Sequence, residues 1–299
     1  VGFVGALFII IRQRPDIVLS FGGFLAVPVA MIAWIFRIPV ITHEQTVTTG
    51  LANKIIARFS KKVAVSWVES IPDNFKKAEN YVLTGNPLRE AIFSVDKDLC
   101  SSFDNNLPTL YITGGNQGAH SINSGVFPII EKLLKDWNII HQTGNSTVTQ
   151  DYSKALQIKS DLSEDLKQRY LPKEYVTEDE IGSVFKEASL FVSRSGANTM
   201  TEILKHGKLA ILIPIPWTSQ NEQLRNARKV ERTGLAKVIE EKNLHSEGLF
   251  KEIQIAKSII KKEISFKGED IEASRSTARE LVQTDAAKTL ANLVSQVLD

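Results

Sequence analysis

Glu202 stands out in the chain because of what precedes it. The apolar run Ala188 to Ser193 reads as a short buried strand. It stops at Arg194-Ser195-Gly196-Ala197 and restarts as Asn198-Thr199-Met200-Thr201-Glu202-Ile203-Leu204-Lys205, a helix that ends at His206-Gly207. A strand feeding a helix through a tight glycine-bearing turn aims the helix's free N–H groups and positive dipole end at whatever lies over the strand's C-terminus. A diphosphate suits that position. Glu202, about one turn inside the helix, can accept two hydrogen bonds from a vicinal diol such as a ribose. A capped helix carrying a solvated glutamate fits the same segment.

A second strand-turn-helix unit repeats this geometry earlier in the chain. Strand Thr109 to Thr113 enters the turn Gly114-Gly115-Asn116-Gln117-Gly118, and a helix follows from about Ser121 to Lys135. Such a turn is a phosphate cradle because its backbone can approach an anion with no Cβ in the way; most Gly-Gly turns are nevertheless structural. Near the start, strand Ile17 to Ser20 runs into Phe21-Gly22-Gly23-Phe24, and strand Val40 to Thr42 runs into His43-Glu44-Gln45. Both sequences fall at strand C-termini and are placed to face one another. His43-Glu44-Gln45 suits bracing of the turn it ends on. Gln223 and Asn226 lie three apart on one helix face, suited to capping or to the core.

Short continuous apolar strands alternate with helices, the pattern of parallel sheets covered on both faces. The polar stretch 94–108 reads as a linker. It separates an N-terminal domain over 1–93 from a C-terminal domain over 109–275, and an amphipathic helix occupies 276–299. The expected fold is α/β, two doubly wound Rossmann-like domains with a cleft between them. The 299 residues are 43% hydrophobic and 23% charged, ordinary for a soluble protein, and a net charge of +2 gives no argument for nucleic acid. A single cysteine, Cys100, makes no internal disulfide and points to a reducing compartment. Five scattered histidines offer no metal cluster, so no structural zinc and no metal are expected. The chain opens at Val1 in mid-pattern and reads as one whose start is missing. Neither the run Val1 to Ile11 nor the interrupted window Ile17 to Phe36 reads as a membrane span.

The segments Phe21-Gly-Gly-Phe24, His43-Glu44-Gln45, Gly85-Asn-Pro-Leu-Arg89, Gly114 to Ala119, His141-Gln-Thr-Gly144, Arg194 to Glu202 and Gln223 to Ala227 occur in the order and spacing of one family. Together they resemble the MurG family of bacterial GT-B glycosyltransferases. The resemblance implies an inverting transfer of N-acetylglucosamine from UDP-N-acetylglucosamine to a lipid-linked muramoyl-pentapeptide, a step of peptidoglycan and hence cell-wall synthesis, with no cofactor. It places the donor on the C-terminal half and the acceptor on the N-terminal half. Arg89 and the turn Gly114, Gly115, Asn116, Gln117, Gly118 then meet the diphosphate, and Val176 meets the uracil through its backbone. Arg194, Ser195, Gly196, Ala197, Asn198, Thr199, Met200, Thr201 and Glu202 meet phosphate, sugar and ribose, while Gln223 and Asn226 meet the sugar. Gly22, Gly23, Phe24 and Thr46 line the acceptor or donor sugar, and His43 or Glu44 assists as base or holds the acceptor, with bracing of the turn as the competing reading.

The same resemblance implies a peripheral protein on the cytoplasmic face of the bacterial membrane, touching anionic inner-leaflet lipid through apolar segments rimmed by Arg12, Arg14 and Arg37. It also places the family's first glycine-rich loop, with a histidine often proposed as the base, upstream of Val1, which implies a chain that turns over little. Three positions depart from the family: Thr46 replaces a usual Asn, Asn116 a usual Ser and Phe24 a usual Tyr. Another UDP-sugar GT-B transferase, a non-catalytic nucleotide-sugar-binding fragment and a UDP-N-acetylglucosamine epimerase of the same fold are the rival readings.

Overall fold

A computed structural model describes residues 2–71 and 80–298. The chain forms two compact units. The first comprises Val1–Leu88, Trp217–Asn226 and Val282–Asp299, and the second Arg89–Pro216 and Ala227–Leu281.

Among the described residues the first unit carries a four-stranded parallel sheet in the order β1 (Val18–Ser20), β2 (Val40–Glu44), β3 (Lys62–Val65), β4 (Tyr81–Leu83). Every residue of β2 is buried, as a central parallel strand covered on both faces requires. Helices α1 (Gly2–Gln13) and α2 (Ala26–Ile35) cover one side, where Ile10, Ala30, Ala33, Val40 and Ile56 form a core cluster. Helix α3 (Leu51–Ile56) follows β2.

The second unit carries six parallel strands: β5 (Thr109–Thr113), β6 (Asn138–Gln142), β7 (Tyr170–Lys173), β8 (Ala188–Ser193), β9 (Leu209–Leu212) and β10 (Ala236–Val238), in the spatial order β10-β9-β8-β5-β6-β7. The chain builds outward from β5 through β6 to β7, then returns to lay β8 on the other side of β5. The sheet therefore reverses direction between β5 and β8, where Thr113 pairs with Ser193. In open α/β sheets such a switch leaves a crevice outside the strands' C-terminal ends. Pro172, which cannot donate to a ladder, sits in the edge strand β7.

Several helices differ from the sequence reading for identifiable reasons. The helix expected from Ser121 to Lys135 is divided into α4 (His120–Val126), a 3-10 turn (Phe127–Ile129) and α5 (Ile130–Leu134), because Pro128 has no N–H to continue the ladder. The uncertain stretch after Ser146 holds α6 (Asp151–Asp161), α7 (Glu164–Arg169) and β7. Helix α8 (Glu178–Glu187) opens on a capping box, with Thr177 and Glu180 reciprocally bonded. Helices α9 (Ala197–His206), α10 (Glu222–Arg232) and α11 (Ser246–Lys262) follow.

The C-terminal amphipathic segment is two helices, α12 (Ile271–Glu280) and α13 (Ala286–Leu298). The break is where the chain leaves the second unit. Arg275 of α12 bonds the carbonyl of Gly207 at the end of α9, whereas Leu290, Leu293 and Val297 of α13 cluster with Ile41 and Ala64 of the first sheet. The polar stretch 94–108 lies on the second unit: Leu99 N–H donates to Ser183 Oγ at 3.1 Å, Lys97 pairs with Glu180, and Cys100 and Phe103 are buried.

Candidate functional site

The two glycine-bearing turns of the second unit leave adjacent strands at the switch, one after Thr113 and one after Ser193. In the first, Thr113 Oγ1 accepts the Gly115 N–H at 3.0 Å and Gly115 O accepts the Gly118 N–H at 3.0 Å. Two of its glycines are obligatory. A Cβ on Gly114 would strike the backbone of Ala119, and one on Gly118, whose φ is 76°, would strike the carbonyl of Thr143. Asn116 and Gln117 remain exposed at the tip.

The second turn ends at Gly196, the N-cap of α9, which has no side-chain cap and open space where a Cβ would stand. The first N–H groups of a ten-residue helix thus face outward from Gly196, Ala197, Asn198 and Thr199, the arrangement that accepts an anion. Glu202, 4% exposed, accepts Arg89 Nε on Oε1 at 2.8 Å. Burial disfavours the Arg89 charge, but Glu202 more than compensates and holds its pKa above the usual value. Half of the Arg89 side chain stays in solvent.

Other residues in this unit hold the frame. Arg194 joins the carbonyl of Ile213, Ser121 Oγ and the Glu241 carboxylate, which commits its charge to tying β8, β9 and α4 together. Met200 is wholly buried, so its side chain belongs to the core and not to a ligand. Ser195 and Thr201 are buried as well. The Val176 N–H is directed inward, to Gln142 Oε1 at 3.2 Å.

The first unit has its own cluster at the C-terminal edge of its sheet. Glu44 is buried and saturated: Oε1 accepts the N–H and hydroxyl of Thr46 at 3.0 and 2.8 Å, and Oε2 accepts Gly50 N–H and Asn53 Nδ2, both at 2.9 Å. This geometry gives Glu44 the bracing role rather than that of a base. His43 is wholly buried, with Nε2 2.9 Å from Gly85 O, which makes Nε2 the protonated nitrogen; Nδ1 is buried without a partner. Burial lowers the His43 pKa, against smaller opposing effects of the Gly85 carbonyl and Glu44, so the ring is neutral near pH 7. Phe21 stacks edge-on against it at 5.5 Å, and Gly22 lies against the Asn53 amide, so the Gly-Gly turn and the His-Glu-Gln segment adjoin as the sequence places them. Gly23 and Phe24 are exposed. Asn226 is buried and its Oδ1 accepts Val47 N–H at 3.2 Å, in keeping with the core-facing alternative for that residue; Gln223 lies one turn before it on α10.

The sequence reading passed over three residues that the structure brings to these edges. Asn53 bonds Thr42, His43 and Glu44 together, Gln142 links β5, its turn and Val176, and Glu222 starts α10. The Glu222 carboxyl is pushed up by burial and by the charge of Glu44. Only Gln142 carried a visible signal, its place in His141-Gln142-Thr143-Gly144.

Two units with parallel sheets, one presenting paired glycine-bearing turns at its switch, define a GT-B-type glycosyltransferase architecture. Residues 1–65 match the glycosyltransferase family 28 N-terminal domain and residues 109–284 the glycosyltransferase family 28 C-terminal domain. The chain belongs to glycosyltransferase family 28, in its MurG branch. It is 39% identical over 253 residues to the UDP-N-acetylglucosamine--N-acetylmuramyl-(pentapeptide) pyrophosphoryl-undecaprenol N-acetylglucosamine transferase of Clostridium novyi. That match covers 82% of this chain and 66% of the relative, so the chain spans just under two thirds of its length. Among solved structures, MurG of Acinetobacter baumannii superposes with a TM-score of 0.67 at 23% identity, covering 98% of this chain and 78% of that one. A UDP-N-acetylglucosamine 2-epimerase of Listeria monocytogenes, described as putative, superposes with a TM-score of 0.66 at 13% identity, covering 99% and 78%. Both share the fold.

Proposed function

We propose that this chain moves N-acetylglucosamine from UDP-N-acetylglucosamine to an undecaprenyl-pyrophosphoryl-muramoyl-pentapeptide, with inversion at the transferred sugar. The observation that carries the reading is the side-by-side placement of the Gly114–Gly118 turn and the uncapped N-terminus of α9, with Arg89 and Glu202 beside them. The N–H groups of Gly196 to Thr199 and the free nitrogens of Arg89 receive the diphosphate, and Glu202 takes the ribose hydroxyls with the carboxylate oxygen that Arg89 leaves open. A guanidinium and a helix N-terminus act most strongly on the charge that develops as UDP departs. The 39% identical Clostridium novyi relative, named for this transfer, supports the same donor and acceptor.

The first unit holds the acceptor. Its muramoyl hydroxyl attacks the anomeric carbon and gives up its proton to solvent, the bond from that carbon to the diphosphate oxygen breaks, and UDP leaves with the electron pair. Glu44, Asn53 and Thr46 fix the loop against which the acceptor lies, and His43 supports the Gly85 turn. The protein works at the cytoplasmic face of the membrane as a peripheral protein; no described helix is long and apolar enough to cross a bilayer.

Thermal melts with UDP-N-acetylglucosamine, UDP, UDP-N-acetylgalactosamine and ADP test the donor half. A ligand at 100 times its dissociation constant stabilises by about 2.7 kcal/mol. The expected result is a raised midpoint with UDP-N-acetylglucosamine and UDP, none with ADP, and a reduced shift in Glu202→Ala. A cooperative melt that no uridine ligand moves would remove the donor assignment. Release of UDP only when the lipid acceptor is present separates the transferase from an epimerase.

A further inference from the structure

Gln142 is the last residue of β6, 4% exposed, and its carboxamide is used at both ends. Oε1 accepts the Tyr111 hydroxyl at 2.8 Å and the Val176 N–H at 3.2 Å, while Nε2 donates to Gly115 O at 2.9 Å. The amide's orientation follows from these partners, since a backbone N–H must meet its oxygen and a backbone carbonyl its nitrogen. Burial raises the Tyr111 pKa, so the phenol stays a donor, and its hydroxyl also lies in the field of Arg89 and Glu202. One buried side chain thus joins the glycine turn of β5, the Val176 backbone beyond β7 and the neighbourhood of the Arg89–Glu202 pair.

We propose that Gln142 is a positioning residue that fixes the spacing between the Gly115 turn and the Val176 backbone, and thereby makes the diphosphate and nucleobase contacts of one nucleotide act together. The inference rests on the donor-site reading above and on the uracil contact that the resemblance gives the Val176 backbone, which falls to its carbonyl because Gln142 takes its N–H. Gly115 O keeps the Gly118 N–H when Gln142 is lost, so the turn itself persists. What disappears is the link between the turn and Val176. Two contacts held at the right spacing behave as a bivalent site, in which the second is made at a high effective concentration. When the spacing is loosened, each contact keeps its own affinity and the joint one falls.

The test measures the affinities of UDP, uridine and inorganic pyrophosphate for the wild-type protein, Gln142→Leu and Gln142→Glu. Gln142→Leu is expected to weaken UDP by about tenfold or more while uridine and pyrophosphate each stay within about twofold of wild type. Gln142→Glu, which sets a carboxylate oxygen against Gly115 O, is expected to be at least as damaging to UDP. Gln142→Asn keeps both ends of the amide on a shorter stem; it is expected to fall between wild type and Gln142→Leu, and it serves if the leucine variant does not fold. Unchanged UDP affinity in Gln142→Leu overturns the proposal, as does a variant in which uridine or pyrophosphate weakens as much as UDP. A wild-type protein that binds no UDP overturns the donor-site reading, and the inference with it.

Discussion

At the scale of single residues, Glu44 shows how far a side chain's environment decides its role. A catalytic base needs an oxygen open to the hydroxyl it deprotonates. Both oxygens of Glu44 already accept bonds, from Thr46 twice, from Gly50 and from Asn53. Replacing it with Gln turns one acceptor into a donor that faces other donors. Glu44→Gln is therefore expected to cost about 1–3 kcal/mol of stability, the usual penalty for unsatisfied buried polar groups. Donor affinity should be unchanged, and urea unfolding alongside a UDP titration measures both. A variant of wild-type stability that loses only turnover would restore Glu44 as the base. The sequence shows both readings of this residue and cannot choose between them, because its four donors sit on residues two, six and nine positions away and meet only through the loop's closure. Arg194 is the parallel case in the second unit: beside the phosphate turn in sequence, it is spent on Ile213, Ser121 and Glu241.

At the scale of elements, α8 carries two predictions. Glu180, its buried capping residue, is bonded by Lys173, Lys97 and Thr177. Burial alone would raise its pKa, and these bonds reverse that and bring it to about 2, below its ordinary 4.5. A carboxyl depressed in the folded state contributes stability above its unfolded pKa and loses it as pH falls. The contribution is expected to be whole above about pH 5 and to fade from pH 4.5 toward 2; Glu180→Gln should flatten that part of the acid-unfolding curve. At neutral pH the loss of the cap should cost about 1–2 kcal/mol. Two residues on, a Cβ at Gly182 would overlap the carbonyl of Ser94, so Gly182→Ala is expected to displace 94–100 from the helix. Overpacking of this kind costs about 1–3 kcal/mol, visible in the melting temperature.

Element boundaries were legible where local chemistry is strong. Strands 109–113 and 188–193 fall at the residues the apolar runs mark. The Thr177-x-x-Glu180 capping box was equally present in the sequence and went unread, as did α11 and β10. Gln142's links join residues 27 and 34 positions apart, and no local pattern announces them.

At the scale of the molecule, alternation of strand and helix reveals the parallel sheets, whereas the return of α13 to the first sheet depends on contacts more than two hundred residues apart in sequence and is invisible locally. The first unit's surface carries the last prediction. Helices α1 and α2 bury Ile10, Ala30 and Ala33 in common but leave Phe3, Val4, Phe8, Ile9, Trp34, Ile35 and Phe36 largely in solvent, near exposed Arg12, Arg14 and Arg37. Exposed apolar side chains on two packed helices with exposed arginines close by in sequence are expected to meet an anionic bilayer, the apolar side chains entering the headgroup boundary and the arginines held at the phosphates. Such docking would bring the first unit to a lipid-anchored acceptor without a spanning helix. The protein is expected to co-sediment with vesicles containing anionic lipid, less so at high salt as the arginine attraction is screened. Combined Phe8→Ser, Ile9→Ser and Trp34→Ser substitutions should release it while leaving UDP affinity intact, since the donor site proposed above uses residues of the second unit. Charge alone would make binding fail in salt yet survive these substitutions, and a purely apolar contact would show the reverse. A wild-type chain that stays in the supernatant at low salt would mean that the face has another occupant.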